Sequence, residues 1–306
     1  MSREVAKPRL FTVVVNEQSG GGRAGRELPG MVQYLHQHLP TAELHVVRSK
    51  SFQDAEATLR TAALACREGD AVVAMGGDGM AHLGLNACAG THATLGIIPA
   101  GTGNDFARAI GVPKSIREAV AAIAQGRTRI LDLAHLSNGS RPQRYVGAVV
   151  SSGYDAVVNR ATNNIKLRFG ALSYGWIALR ELRVFSPYHY ELRIDGEPRS
   201  HPAMLVAVSN TGIFGGGMRI APDADPSDGW LDVTIIHPVS RGTLLRLLRS
   251  VYTGTFVKHP AVEILRAKQV EIDGEGLFVM GDGEELGDVP VTVTVAPSVL
   301  KVFVGG

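Results

Sequence analysis

From Leu10 to about Leu136, short runs of aliphatic and β-branched residues alternate with stretches whose apolar positions recur at helical spacing. LFTVVVN, AELHVVRS, DAVVAMGGDG, TLGIIPAGTGND and RILDLAHL read as strands. Helical patterns separate them, from Met31 to Leu39, from Asp54 to Cys66, up to Ala89, and from Ser115 to Gln125. Such βαβ alternation predicts a parallel sheet covered by helices, with ligands at the carboxyl ends of its strands. After Ser137-Asn138-Gly139-Ser140 the rhythm changes. YVGAVVSSG, HYELRID, AMLVAVSN, WLDVTII, QVEID and VTVTV follow one another mainly through turns, with helical patterns around Leu172 to Val184 and Leu244 to Val251. The final SVLKVFV is a strand able to return to either sheet. The expected fold is α/β: an N-terminal parallel-sheet domain over residues 8–136, with 296–306 returning to it as a strand, and a β-rich second domain over 137–295.

Composition narrows the classes. At 306 residues the chain suits two domains, and 45% hydrophobic with 20% charged residues is the make-up of a globular protein. Lys and Arg number 31 against 29 Asp and Glu, a net charge of +2, which argues against nucleic acid as a partner. Cys66 and Cys88 form neither a disulfide framework nor a zinc pattern and read as buried free thiols. No apolar run approaches the roughly 18–20 residues that span a bilayer, and the N-terminus lacks a small-residue cleavage site. A cytoplasmic protein is expected, with any membrane contact peripheral.

The candidate chemistry lies in glycine loops and acidic turns. Gly20, Gly22 and Gly25 satisfy G-x-G-x-x-G after the first strand. The next strand ends at Arg48-Ser49 without the acid that would hold a dinucleotide ribose, and no Lys-Ser/Thr follows the glycines, so phosphate cradling by backbone N–H groups is the reading left open. Met75-Gly76-Gly77-Asp78-Gly79 closes a hydrophobic strand and places side-chain-free donors and one carboxylate at a strand-to-helix junction. Gly96 to Phe106 repeats that logic one unit later, with Gly101, Thr102, Gly103, Asn104 and Asp105 able to meet a ribose, a phosphate or a hydrated metal. Asp-Gly-Glu occurs at 195–197, 273–275 and 282–284, and each copy is also a candidate hairpin turn. Asp223 to Asp232 gathers four carboxylates in ten residues, a set of oxygens suited to a hard cation or to a solvated turn. Arg241 to Tyr252 is a basic amphipathic pattern, fit for a core-facing helix or an anionic membrane surface.

GGDG followed by GIIPAGTGNDFARAIGVP resembles the diacylglycerol kinase catalytic domain shared with bacterial lipid kinases and sphingosine kinases. The resemblance extends from VVVNEQSGGG to PVTVTVAPSVLKVFV, and GTGNDF is its most specific segment. It implies a nucleotide-binding first domain like that of NAD kinases and diacylglycerol kinases. ATP would be embraced by Asn16, Ser19, Gly20, Ser49, Gly76, Gly77, Asp78, Gly79, Met80 and the 101–105 loop. Met80 departs from the family pattern by replacing a hydroxyl, and His82 lies near the position of a frequent Asn. The resemblance selects the third Asp-Gly-Glu copy, with Asp282 or Glu284 as the base. It also maps a structural Mg²⁺ onto Asp228 and the carbonyls near Asp225 and Trp230. The implied activity is ATP- and Mg²⁺-dependent phosphorylation of a lipid hydroxyl, diacylglycerol to phosphatidic acid being the expected case, at the inner membrane face. A kinase of a soluble acceptor such as NAD, or a nucleotide-binding sensor without catalysis, are the alternatives. A homodimer is left open.

Overall fold

The computed structural model describes residues 9–138, 144–164, 180–183 and 185–305. The chain forms two compact units: one runs to Leu131 and resumes at Ser298, the other is Asp132–Pro297.

In the first unit, β1 (Leu10–Val15), β2 (Glu43–Arg48), β3 (Ala71–Gly76) and β4 (Thr94–Pro99) lie parallel in the order β2-β1-β3-β4. All six residues of β3 and of β4 are buried, as expected of strands covered on both faces, whereas β2 at the edge is largely exposed. The helices are α1 (Ser19–His38), α2 (Phe52–Ala65), α3 (Asp78–Cys88), the short α4 (Asp105–Ala109) and α5 (Ile116–Gln125). Ser51 caps α2 by accepting from Asp54 N at 3.1 Å, and Gly126, in the left-handed region, ends α5. Ala24, Leu28, Met31 and Leu35 of α1 and Ile116, Val120 and Ile123 of α5 pack on one face of the sheet. Both cysteines are buried and free, and burial pushes the Cys66 thiol up to about 11.

The second unit pairs two sheets. One has the order β14-β13-β10-β7-β16-β17, built from β7 (Val149–Gly153), β10 (Leu205–Ser209), β13 (Leu231–Ile236), β14 (Val262–Ala267), β16 (Phe278–Gly281) and β17 (Glu284–Asp288). The other contains β8 (Tyr188–Ile194), β9 (Glu197–Ala203), β15 (Gln269–Asp273) and the first residues of β18 (Val291–Phe303). Val150, Val206, Val233, Tyr190, Leu192, Val270 and Val293 share one buried core, which makes this unit a sandwich. Two helices, α6 (Tyr154–Asn164) and α7 (Arg241–Ser250), join a second cluster with Leu205, Ala207 and Ile236.

Several expectations change. VTVTV and SVLKVFV are one strand, β18, which runs antiparallel to β15 and then sets Val302 parallel to Leu95 of β4. RILDLAHL forms β5 (Thr128–Ser137), which pairs antiparallel with β6 (Arg144–Val146) rather than continuing the parallel series. YVGAVVSSG splits into β6 and β7, and α6 follows where only turns were expected. The helical pattern at Leu172–Val184 lies mostly outside the described residues; 180–183 are helical.

Candidate functional site

The loops after β1, β3 and β4 are tied to one another. Asn16 N donates to Met75 O at 3.1 Å, joining the first loop to the end of β3. Asn16 then organises its own loop, its side-chain oxygen accepting from Gln18 N at 3.1 Å and its carbonyl from Ser19 N at 3.0 Å. Gly20, Gly21 and Gly22 follow with φ of 62°, 65° and 83°, so the first residues of α1 form an open, left-handed loop and regular helix begins after them, earlier than the Met31 expected from sequence. A Cβ on Gly20 would run into the carbonyl oxygen of Ala100, in the loop after β4. The Ser49 hydroxyl donates to Val15 O at 3.0 Å, closing the end of β2 onto β1.

The second and third glycine loops touch directly. A Cβ on Gly101 would fall 2.5 Å from Gly77 Cα, so Gly101 requires glycine for this backbone contact, while a Cβ on Gly77 would be tight at 3.3 Å from Gly101 Cα. Asp78, at the first turn of α3, accepts from Asn104 N at 2.8 Å and from Asp105 N at 2.6 Å. Asn104, with φ of 55°, closes a ring on Gly101, accepting from its N at 3.1 Å and donating to its O at 2.8 Å. The Asp78 and Asn104 side chains therefore shape the loop, where the sequence suggested that they meet a ligand. Met80 is 5% exposed and packs against Gly76, so its side chain belongs to the core.

Sequence reading missed the cations around this loop. A cavity of about 180 Å³ beside Gly101, Thr102 and Asn104 is also lined by Arg23, Arg108 and Lys114. Arg108 is held by its bond to Gly103 O at 3.0 Å and lies 3.6 Å from Asp105. Glycine backbone and three cations make a site for a polyanion such as a nucleotide's phosphates. Arg23 directly follows the glycine run and Arg108 lies in the GTGNDFAR segment, so proximity to the motifs was the available signal.

In the second unit the first and third Asp-Gly-Glu copies are built alike. Asp195-Gly196 joins β8 to β9 with φ of 48° and 91°, and Asp282-Gly283 joins β16 to β17 with φ of 50° and 86°, both values of a type I′ hairpin. Each aspartate also grips a neighbouring strand. Asp195 accepts from Lys268 N at 2.9 Å and Gln269 N at 2.8 Å. Asp282 accepts from Gly147 N and Ala148 N, both at 2.8 Å, and so fixes the bend between β6 and β7. Glu284 is exposed, whereas Asp282 is half-buried. Asp273 accepts from Gly274 N at 2.8 Å, a purely local bond.

The acidic loop is organised by its own residues. Asp225 accepts from Ser227 N at 3.1 Å and from its hydroxyl at 2.7 Å. Asp228 accepts from Trp230 N at 3.0 Å and is paired with Arg266. The Arg266 and Lys268 cations flank the Trp230 ring, 5.3 and 4.9 Å from its centroid, and Gly229 N donates to Asp132 at 2.7 Å. A hard cation needs several converging oxygens. Asp228 is already neutralised by Arg266, and among the described residues no three His, Cys, Asp or Glu side chains gather to hold a metal. The loop in this form does not fit a bound Mg²⁺.

One further cavity in this unit, about 280 Å³, has walls from Val158 of α6, Leu205 of β10, Ile236 of β13 and Leu245 and Leu248 of α7. Arg249 and Tyr252 lie on its exposed rim. The apolar side of α7, ambiguous in sequence, thus faces the sheet. Among the described residues no helix is long and apolar enough to cross a membrane.

The parallel-sheet unit, with a cationic cavity on its glycine loops, is followed by a β-sandwich unit. Residues 10–136 match the family described as the diacylglycerol kinase catalytic domain, and 148–304 match the YegS C-terminal NAD kinase beta sandwich-like domain. A protein named diacylglycerol kinase from Mycobacterium tuberculosis is 34% identical over 294 residues, covering 95% of this chain and 94% of that one. One of the same name from Bacillus subtilis is 27% identical, covering 91% and 90%. A solved structure from Bacillus anthracis shares the fold with a TM-score of 0.81 at 24% identity, over 99% of this chain and 97% of that one. The chain belongs to the diacylglycerol kinase family, and membership places it among the kinases.

Proposed function

We propose that this chain transfers the γ-phosphoryl group of ATP to the hydroxyl of a membrane lipid, with diacylglycerol as the acceptor and phosphatidic acid as the product. The observation that carries the choice of a lipid over a soluble acceptor is the cavity of the second unit, whose walls are aliphatic and aromatic from α6, β10, β13 and α7. A dinucleotide acceptor would leave its phosphates and riboses against those walls without partners.

Phosphoryl transfer needs positioning and charge neutralisation more than covalent help from the protein. Arg23, Arg108 and Lys114 supply positive charge beside the 101–104 loop, and the Gly77–Gly101 contact keeps that loop close to the end of β3. Mg²⁺ arriving with the nucleotide would neutralise phosphate oxygens in the usual manner of kinases. Exposed Glu284 would take the proton of the acceptor hydroxyl, and Asp282 would hold the adjoining bend. The protein would act at the inner face of the membrane through peripheral contact.

Radiolabelled ATP presented with diacylglycerol micelles, with NAD and with no acceptor tests the reading. Label should move to the lipid alone. Transfer to NAD, or ATP binding without transfer to any acceptor, would refute it.

A further inference from the structure

Among the described residues, the apolar cavity of the second unit holds one carboxyl group, that of Asp155 in the first turn of α6. Asp155 is 4% exposed, and neither of its oxygens makes a well-formed hydrogen bond, the Ser151 hydroxyl and the Ala156 N–H acting on it only weakly. Burial pushes its pKa up to about 7, against the opposing pull of the Ser151 hydroxyl and the Ala156 N–H, which favour the charged form. A carboxyl in this position costs the fold stability. A buried polar group without a good partner is unfavourable, and an aliphatic side chain of similar size would remove that cost. No well-formed hydrogen bond among the described residues compensates in full, and a molecule that enters the cavity can supply the missing one.

The walls state what such a molecule looks like. It is aliphatic over most of its surface, to match Val158, Leu205, Ile236 and Leu248, and it brings one polar atom to Asp155. That atom is uncharged. An anion would face a carboxyl in an apolar site, and the cation of this cavity, Arg249, sits at the exposed rim. We infer that Asp155 is the polar anchor of this cavity, a specificity-determining residue that hydrogen-bonds the hydroxyl or ester group of a neutral acyl-chain lipid and discriminates against anionic lipids. This rests on the proposed function only in taking that lipid to be the acceptor.

The test uses the full chain, with 1-decanol and decanoate as probes that share a chain and differ in the charge of the polar end. In titration calorimetry, wild type should bind decanol about tenfold more tightly than Asp155→Leu does, the value of one hydrogen bond in an apolar site. Asp155→Asn, whose amide both donates and accepts, should stay within about threefold of wild type for decanol. It should also bind decanoate better than wild type does. Asp155→Leu should melt at or above the wild-type temperature, because it removes a poorly partnered group. Equal decanol affinity in wild type and Asp155→Leu, or equal affinity of wild type for decanol and decanoate, would overturn the inference. So would a melting temperature of Asp155→Leu well below wild type, which would make the carboxyl a structural group. Decanol selectivity that depends on Asp155, in a protein that phosphorylates no lipid, would uphold the anchor and remove the kinase reading. Transfer to diacylglycerol with decanol affinity unchanged in Asp155→Leu would do the reverse.

Discussion

Asp78 offers the sharpest separation between a ligand and a scaffold. Its two oxygens accept the N–H groups of Asn104 and Asp105 at 2.8 and 2.6 Å, across 26 and 27 residues of sequence. Hydrogen bonds to a charged group contribute about 1.5–3 kcal/mol each, so the pair could reach about 3–6 kcal/mol if it were fully buried. The site is only partly buried, and water can reach the amides once the carboxylate is gone. The loss on Asp78→Ala should therefore lie near the lower end, about 2–3 kcal/mol. At roughly 2–4 °C per kcal/mol, the transition of the first unit should fall by about 5–10 °C. Freed from Asp78, the 101–105 loop should also bind ATP more weakly, by about tenfold or more for 1.4 kcal/mol of lost preorganisation. Asp78→Asn keeps one acceptor oxygen and turns an amide NH₂ toward a backbone donor, so it should lose about half as much. Differential scanning calorimetry and ATP titration on the same three proteins give both numbers. An Asp78→Ala protein that melts with wild type yet no longer binds ATP would refute the clamp and make Asp78 a direct ligand.

Glu284→Gln should lower kcat by about 10²–10⁴-fold with an unchanged melting temperature, whereas Asp282→Asn should lower the melting temperature as well, because Gly147 N and Ala148 N lose a charged acceptor. Full activity in Glu284→Gln would remove it as the base. Mg²⁺ without nucleotide should leave the melting temperature unchanged, since Arg266 already neutralises Asp228; a rise following RT ln(1 + [Mg²⁺]/Kd) would show that the acidic loop does take the ion. For Asp155 burial lifts the folded pKa to about 7, above the 3.8 usual for an aspartate, so the folded chain retains a proton that the unfolded chain releases. Its contribution to stability is intact below about pH 4 and is lost as pH rises toward 7, a change on the order of 4 kcal/mol. Denaturant midpoints across that range should fall less steeply in Asp155→Asn, and parallel slopes would show that the group titrates normally.

The βαβ series, the buried strands β3 and β4 and the glycine loops were legible from sequence because each depends on local chemistry. Continuous apolar runs belong in strands covered on both faces, and clustered glycines mark close backbone approach. Ser51 and Ser115 ahead of their helices are local signals of the same kind. Other features have no local trace. Asp195-Gly196 and Asp282-Gly283 are the same dipeptide in the same turn, and only their tertiary neighbours, Lys268 and Gln269 for one and Gly147 and Ala148 for the other, tell them apart. VTVTV and SVLKVFV look like two strands around Ala296-Pro297-Ser298, yet pairing with β15 and then β4 makes them one. Asp155 is a lone acid after Ser151-Ser152-Gly153 until β10, β13 and α7 close around it. Sequence alone determined most of the first unit's strands and helices and its glycine loops, since propensity and patterning act over a few residues. Tertiary structure alone decided which carboxylates brace the chain, because a carboxylate's role depends on the donors that distant segments bring to it.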